Sequence, residues 1–556
     1  MLSDIDIAQK SEIKNIKDIG KKINISDEYL YTYGKHKAKV SSKLLQEDFK
    51  DKSDGKLVLI SAITPTPAGE GKTTTLIGLA DALNKIGENA VIAMREPSLG
   101  PCFGIKGGAC GGGYSQVLPM EDINLHLTGD FHAITTAHNL LSAMIDNHIH
   151  QGNHLNIDIH SITWKRVMDM NDRALRHIIV GLGGKTNGIS RETGFEITTA
   201  SEIMALFCLA KDFSDLQKRL ASIIIGKTTN GEPVTAKDLK ADGAMAAILK
   251  DAIDPNLVQS IEGTPAFIHG GPFANIAHGC NSIIATKIAL KSADWVITEG
   301  GFGSDLGGEK FLNIKCRKGN LTPYAVVLVA TIKAIKMHGG VALDNIKEPN
   351  PEAVIRGFEN VKKHVENIRS FGIEPFIAIN SFTFDTSEEI EVLTKLCKEN
   401  NIKLSLSTVW ADGGAGAIDL AKMLINHDNT KDDFKFTYNL EDSIEEKITK
   451  IAEKIYGAKK VVFSSETKKE VAYINSIGLG NLPICIAKTQ YSFSDNPKLL
   501  SRPNDFEINI RNIKVSAGAG FIIAYAGTIM TMPGLPKEPS ATKITVDENG
   551  NINGLF

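Results

Sequence analysis

Short β-branched segments alternate with amphipathic helical patterns along much of this chain. Strand-like runs include KLVLISAIT, NAVIAMRE, ADWVITE and YAVVLVAT, and the first is followed closely by the helical pattern GKTTTLIGLADALNKIG. This alternation is typical of βα units, whose strands pair in parallel because each helix returns the chain to the same end of the sheet. The sequence therefore predicts an α/β protein with a mainly parallel sheet.

The pattern of strands and helices indicates three domains. A helix–strand pattern restarts near Val361 and continues to about Asn426. After about residue 458, the strands LPICIAK and FEINIRNIKV lead to a predicted loop, SAGAGFIIAYAGTIMTMPGLP. We predict a first domain over residues 1–360, a second α/β domain over 361–457 and a smaller C-terminal α/β domain over 458–556.

Composition excludes several classes of protein. With 556 residues and 42% hydrophobic content, the chain can bury large cores. The 62 Lys and Arg residues are nearly balanced by 65 Asp and Glu residues. The chain therefore has no overall positive field that would draw it to nucleic acid or anionic membranes. Seven scattered cysteines without a C-x-x-C pair favour reduced thiols. With no apolar signal segment and no membrane-length apolar run, we expect a cytoplasmic protein with neither a nucleic-acid nor a membrane partner.

A Gly/Pro turn joins the first strand to its helix and has the character of a P-loop. In such loops, backbone N–H groups at a helix N-terminus hold phosphate oxygens, while a lysine reaches the outer phosphates. We predict ATP binding by residues 66–74, here called the phosphate loop: Thr66, Pro67, Ala68, Gly69, Glu70, Gly71, Lys72, Thr73 and Thr74. Thr66 stands where the common pattern has glycine, so an ordinary strand-to-helix turn is the alternative.

Charged side chains follow two further strands at their carboxyl ends. NAVIAMRE ends in Arg95 and Glu96, and ADWVITE ends in Glu299, with Asp305 a weaker candidate beyond it. Ligands of open α/β sheets bind at this edge, where an arginine can hold a transferring phosphoryl group. We predict Mg²⁺ near Thr73 and Glu299. A surface ion pair is the alternative for Arg95 and Glu96.

Several long blocks resemble formate–tetrahydrofolate ligases over essentially the whole chain. They include GIKGGACGGGYSQVLPMEDINLHLTGD, TPAFIHGGPFANIAHG, GGFGSDLGGEKFLNIKCR, VATIKAIKMHGG and TMPGLP. The sequence departs from the family pattern at Cys110, Gly300, Lys333 and Thr528. Lys333 keeps the charge of the arginine expected there but loses its two-donor fork, and Thr528 replaces an acidic residue.

The resemblance implies a reaction and its participants. The expected substrates are ATP, formate and tetrahydrofolate, joined through formyl phosphate, with 10-formyltetrahydrofolate, ADP and phosphate as products. The resemblance assigns anion stabilisation to Lys72 and Arg95, and folate binding to residues 361–457. It also implies Mg²⁺ with ATP, activation by a monovalent cation (K⁺ or NH₄⁺), and a homotetramer.

Two further residues match family positions near the reacting centre. His269, in FIHGGPFAN, and Asp130, in TGD, are candidates to take the proton released when the folate nitrogen attacks. A turn histidine held by the backbone is the alternative for His269. The spacing of the other histidines does not place metal ligands on one helix face, so we expect no zinc.

Phe382 and Trp410 follow the strands PFIAIN and KLSLS in the second predicted domain. Together they resemble the aromatic pair that stacks on the pterin ring in this family, a role suited to flat π-systems. Core packing is the alternative for either residue alone.

Two other functions share the same nucleotide fold. A P-loop switch or partitioning ATPase commonly has a lysine four residues before the last glycine of the loop, where this chain has Pro67. It would also leave the second and third predicted domains without a role. A related amide-forming or carboxylating ATP-dependent enzyme is the other alternative.

Overall fold

A mostly parallel sheet of 12 strands forms the centre of the described part of the chain. The computed structural model describes residues 2–67, 69–104, 110–428 and 433–555. Along the main path of the sheet, the strands follow the order Leu30–Thr32, Ala38–Val40, Asn256–Ser260, Pro265–Ile268, Ala90–Met94, Trp295–Glu299, Lys56–Ala62, Pro323–Ala330, Pro375–Asn380 and Lys403–Ser407. From Pro265–Ile268 onward, all neighbours pair in parallel, which confirms the predicted α/β class.

The central strands are buried on both faces, which explains their nearly continuous apolar sequences. In Lys56–Ala62, Leu57 and Leu59 pack into one hydrophobic core, whereas Val58 and Ile60 pack into another. Successive side chains of a strand point to opposite faces, so a sheet covered on both sides needs apolar residues at every position.

Helices cover these two faces. The α-helices before residue 350 are Asp4–Lys10, Ile16–Lys22, Lys72–Lys85, Leu99–Phe103, Met120–Asn124, Asp130–His150, Glu202–Leu209, Phe213–Ala221, Asp242–Ile248, Ile283–Ser292, Arg317–Gly319 and Ile332–His338. Those after it are Pro351–Ser370, Ser387–Glu399, Val409–Asp412, Ile418–Ile425, Ile444–Ile451 and Ser465–Ser476. None of the helices in the described residues has both the length and the apolar character needed to span a bilayer.

The second predicted domain contributes strands to the central sheet. Pro375–Asn380 pairs in parallel with Pro323–Ala330, and Lys403–Ser407 pairs with Pro375–Asn380. The helix Pro351–Ser370 runs through the predicted boundary at residue 360. One sheet therefore carries strand ends from both predicted segments, and the division into domains stays a prediction.

A separate sheet of four strands forms after residue 458. Its order is Lys460–Phe463, Glu507–Ser516, Phe521–Ala526 and Ile484–Ala487. The prediction of a loop throughout SAGAGFIIAYAGTIMTMPGLP was wrong for Phe521–Ala526, which pairs antiparallel with Glu507–Ser516. The apolar run FIIAYA packs into the core, and only the glycine-containing residues before it form the hairpin turn.

A fully buried ion pair joins a helix that precedes the strand Pro375–Asn380 in the sequence to the helix that follows it. Lys336, in Ile332–His338, lies 2.9 Å from Glu389, in Ser387–Glu399, and neither side chain is exposed to solvent. Burial raises the pKa of Glu389, but hydrogen bonds from the Asn350 N–H, Lys336 and Thr386 outweigh it and hold the pKa below its ordinary value. Removing one partner would leave the other buried without its counter-charge.

We expect Glu389→Gln to lower the free energy of unfolding by about 3 kcal/mol at neutral pH, because Lys336 loses its buried counter-ion. Glu352→Gln, which removes an exposed partner of Arg356, should change it by no more than about 0.5 kcal/mol. Urea unfolding measures both. The pKa of Glu389 is lowered in the folded state. Its contribution to the free energy of unfolding is therefore complete above the ordinary glutamate pKa and is lost as pH falls through the lowered value. Equal stabilities of the two variants would contradict this role of the pair.

Candidate active site

A cavity of about 570 Å³ opens at the carboxyl edge of the central sheet. Strand ends and the loops that follow them supply most of its lining, as expected for an open parallel sheet. The lining residues are Asp4, Pro67, Gly69, Glu70, Gly71, Lys72, Thr73, Thr74, Arg95, Glu96, Pro97, Ser98, Pro101, Cys102, Gly111, Gly271, Phe273, Ala274, Asn275, Glu299, Gly301 and Phe302. The cavity therefore brings together most of the described phosphate loop and both predicted charged strand ends.

The phosphate loop places a helix N-terminus at this cavity. Lys72–Lys85 begins directly after Gly71, which has a left-handed backbone conformation with φ of 75°. A side chain at position 71 would also come within 2.3 Å of the Asn380 amide, so both conformation and space favour glycine. Lys72, Thr73 and Thr74 form the first turn and line the cavity. A helix N-terminus that faces a cavity in this way is a favourable place for an anion.

Hydrogen bonds between Thr66 and Glu70 stabilise the phosphate loop internally. The backbone N–H and the hydroxyl of Thr66 donate to Glu70 Oε1 at 2.7 and 2.8 Å, and Thr331 donates to the other carboxylate oxygen. Burial raises the pKa of Glu70. Thr66 does not line the cavity, whereas Pro67, Gly69 and Glu70 do. Ala68, also predicted to bind ATP, lies outside the described residues.

A hydrogen-bonded chain connects two strand ends to the first turn of the helix Lys72–Lys85. Thr73 Oγ1 donates to Glu299 Oε2 at 3.0 Å, and Arg95 Nε lies 3.3 Å from Glu299 Oε1. Arg95 Nη1 also donates to the Pro272 carbonyl at 3.4 Å. The predicted catalytic Arg95 and the predicted metal-shell pair are thus in one cluster at the cavity. The contact with Glu299 orients the guanidinium of Arg95, and both residues line the cavity.

The chemistry of this cluster fits Mg²⁺. Hydroxyl and carboxylate oxygens are the hard donors that Mg²⁺ prefers, and it usually keeps several waters when bound with nucleotide phosphates. Thr73 and Glu299 would supply such oxygens beside the loop. Among the described residues, no group of three or more His, Cys, Asp or Glu side chains is arranged to hold a metal ion by itself. Asp305, the weaker candidate, is instead fully buried in an ion pair with Lys488.

His269 and Asp130 are buried and are not among the residues that line the cavity. The two ring nitrogens of His269 contact the Ser282 hydroxyl at 2.7 Å and the Ala252 carbonyl at 2.8 Å, and burial lowers its pKa to about 4. Asp130 is also buried, 2.8 Å from Lys39. The proton-accepting role of His269 and Asp130 stays a prediction, and these contacts favour a supporting role.

Glu96 connects this buried group to the cavity. It lines the cavity at only 6% exposure, and its Oε2 atom has no hydrogen-bond partner among the described residues. Burial, followed by the nearby charge of Asp130, raises its pKa well above the ordinary glutamate value. Its position directly after Arg95 was the available sequence signal. Asp4 and Asn275 also line the cavity, but nothing in the local pattern around them indicated it.

The two predicted folate-binding aromatics lie at neighbouring strand ends and have different surroundings. Phe382 stacks on Phe384 at 5.5 Å, and Lys333 Nζ lies 4.5 Å from the Phe382 ring centre. Trp410 is 36% exposed, and its carbonyl accepts from the Tyr114 N–H. Neither ring is among the residues that line the cavity. The lysine that replaces the expected arginine thus contacts one of the predicted folate residues.

The parallel sheet, the glycine-containing loop before Lys72–Lys85 and the acidic strand end at Glu299 define the class: an α/β protein with a strand-to-helix loop of P-loop character. The family model described as "Formate--tetrahydrofolate ligase" matches residues 2–556. Because this match covers essentially the whole chain, the protein belongs to the formate–tetrahydrofolate ligase family. The resemblance based on the glycine-rich blocks is confirmed.

We expect Lys72→Ala to lower turnover by on the order of 10²-fold or more, because it removes a preorganised cation from the start of the helix. Lys85→Ala, at the other end of the same helix, removes an equal charge whose partner is Glu262 and should leave turnover within about twofold. Steady-state rates and melting curves are measured for both variants. Activity within threefold of wild type for Lys72→Ala, with unchanged melting, would refute the assignment of the phosphate loop.

Proposed function

We propose that this protein uses ATP to join formate to tetrahydrofolate through formyl phosphate, giving 10-formyltetrahydrofolate, ADP and phosphate for one-carbon metabolism. Family membership supports the overall ligase activity. The observation that carries the finer proposal is the cluster of Lys72, Thr73, Arg95 and Glu299 around one cavity. The switch-ATPase alternative has no support from the family match.

The physical difficulty of the reaction lies in formate. Its carboxylate carries no good leaving group, and a phosphoryl group supplies one. During the transfer, negative charge shifts among ATP, formate and the acyl phosphate, and preorganised cations stabilise that charge best inside a shielded site. Among the described residues that line the cavity, Lys72 and Arg95 carry positive charge, and Glu299 contacts the guanidinium of Arg95. In the proposed mechanism, Lys72 holds the outer phosphates and Arg95 contacts the group that moves between substrates.

The proposal includes bound ions and an assembly. Mg²⁺ accompanies ATP and lies near Thr73 and Glu299, where it would neutralise phosphate charge. K⁺ or NH₄⁺ acts as an activator, and the chain works in the cytoplasm as a homotetramer. These features follow from the resemblance to the family, and the oxygen donors beside the loop support the first of them.

ADP formation with formate and tetrahydrofolate, supplied singly and together, tests this function. We expect ADP production with both substrates to exceed the sum of the single-substrate rates by at least about tenfold, because the acyl phosphate turns over only when the folate accepts the formyl group. The product should be 10-formyltetrahydrofolate, measured after acid conversion by its absorbance. ATP hydrolysis that ignores both substrates would refute the ligase.

We expect Arg95→Lys to bind ATP within about threefold of wild type but to lose at least about tenfold in kcat, and Arg95→Ser to lose more. A lysine keeps the charge but cannot contact Glu299, the Pro272 carbonyl and a phosphoryl oxygen with one planar fork. Calorimetric nucleotide titration and rates at saturating formate and folate separate the two effects. If Arg95→Lys kept the wild-type kcat and lost ATP affinity, Arg95 would be a nucleotide anchor and the proposed catalytic role would be wrong.

A further inference from the structure

We propose that Asp4 is a specificity-determining residue for the folate, whose carboxylate accepts hydrogen bonds from the ring N–H and amino group on the pyrimidine edge of the pterin. This inference rests on the proposed function and on a pterin stacked at Trp410. It gives a binding role to a side chain from the first helix of the protein, more than 60 residues before the phosphate loop.

Asp4 is held at the cavity from two sides. It opens the helix Asp4–Lys10, whose N-terminus is capped by Ser3. Its Oδ1 atom accepts from the Gly113 N–H at 2.8 Å, and its backbone carbonyl accepts from the Gln116 side chain at 2.9 Å. The side chain is half-buried and lines the cavity. These contacts orient the carboxylate before any ligand arrives.

The same turn that holds Asp4 also holds Trp410. The N–H of Tyr114 donates to the Trp410 carbonyl at 2.9 Å, and the Ser115 hydroxyl donates to the Val409 carbonyl at 2.8 Å. A β-carbon built on Gly112 would lie 3.0 Å from Asp4 Oδ2 and 3.3 Å from both Cδ1 and Nε1 of the Trp410 ring. The carboxylate and the edge of the indole thus converge on one glycine, where no side chain separates them.

Among the described residues, one carboxylate oxygen of Asp4 has no hydrogen-bond partner. The carboxylates of the other acidic residues at the cavity are either already paired or more deeply buried. Glu299 contacts Arg95 and Thr73, and both oxygens of Glu70 accept from threonines. Glu96 is 6% exposed beside Asp130. For Asp4, no hydrogen bond or ion pair within the described residues reaches Oδ2. Oδ1 also keeps one lone pair after accepting from Gly113.

The pterin edge has the matching chemistry. Its ring N–H and its neighbouring amino group point in the same direction, so they can donate two parallel hydrogen bonds to one carboxylate. A charged acceptor strengthens such bonds, and a buried site built for a donor rejects analogues that lack it. A ring stacked on Trp410 would direct this edge toward Asp4, which lines the same cavity as Arg95.

A comparison of single variants, each assayed with the natural and a modified substrate, tests this assignment. The variants are Asp4→Asn, which keeps an acceptor for the Gly113 N–H, and Asp6→Asn, which makes the same charge change on the same helix at the Ser3 cap. Each is assayed with tetrahydrofolate and with its 2-desamino analogue, which lacks the amino donor. KM for each folate, KM for ATP and the melting temperature are measured.

We expect Asp4→Asn to raise KM for tetrahydrofolate by about tenfold with KM for ATP unchanged, because it loses a charge-assisted pair of hydrogen bonds. Wild type and Asp6→Asn should prefer tetrahydrofolate to the analogue by about the same factor, and Asp4→Asn should show little preference. Trp410→Ala should weaken both folates equally, since stacking does not depend on the amino group.

Two results would overturn the assignment. In one, Asp4→Asn keeps the wild-type preference for tetrahydrofolate over its analogue. In the other, it weakens ATP and both folates together and lowers the melting temperature, as a purely structural role requires. Wild-type activity with formate and tetrahydrofolate separates this failure from failure of the proposed function. An inactive wild type overturns both, whereas an active wild type with an unchanged Asp4→Asn variant overturns only the role of Asp4.

Discussion

The parallel alignment of the central strands is the constraint on which the candidate active-site cavity depends. Trp295–Glu299 pairs in register with two neighbours, so that Glu299 lies opposite Ile60 and Thr298 lies opposite Ala93. This register brings Glu299 beside Arg95 and Thr73, which are far apart in the sequence. A slip of one residue would turn Glu299 to the other face of the sheet and separate it from both. The backbone pairing therefore positions the charged cluster.

Two buried, neutral histidines connect the start of the phosphate loop to later parts of the chain. Thr64, at the entry to the phosphate loop, hydrogen-bonds to His364 at 3.0 Å through its hydroxyl and to His338 at 3.0 Å through its carbonyl. His338 in turn accepts from the Ser501 N–H. Burial lowers the pKa of His338 to about 4 and that of His364 to about 3, so both rings stay neutral at physiological pH. The loop is thus supported by residues that come hundreds of positions later.

Local sequence patterns predicted the elements well where several signals agreed. For Lys56–Ala62 and the helix that starts at Lys72, β-branched residues, a glycine turn and an amphipathic run all favoured the same structure, and the structure confirms it. The strand Phe521–Ala526 was missed because the surrounding glycines suggested a loop, although its burial against Glu507–Ser516 favours a strand. Which strands share a sheet depends on long-range pairing, and local periodicity carries no information about it.

By itself, the sequence determined the α/β class, the glycine turn before the helix Lys72–Lys85, the charged strand ends and, through long family blocks, the ligase family. Only the tertiary structure decided which of these side chains meet at one cavity. It placed Arg95 and Glu299 in contact, left His269 enclosed by Ser282 and Ala252, and brought Asp4 to the cavity wall. The physical reason is that a residue's type limits its chemistry, whereas its burial and neighbours depend on how distant segments pack.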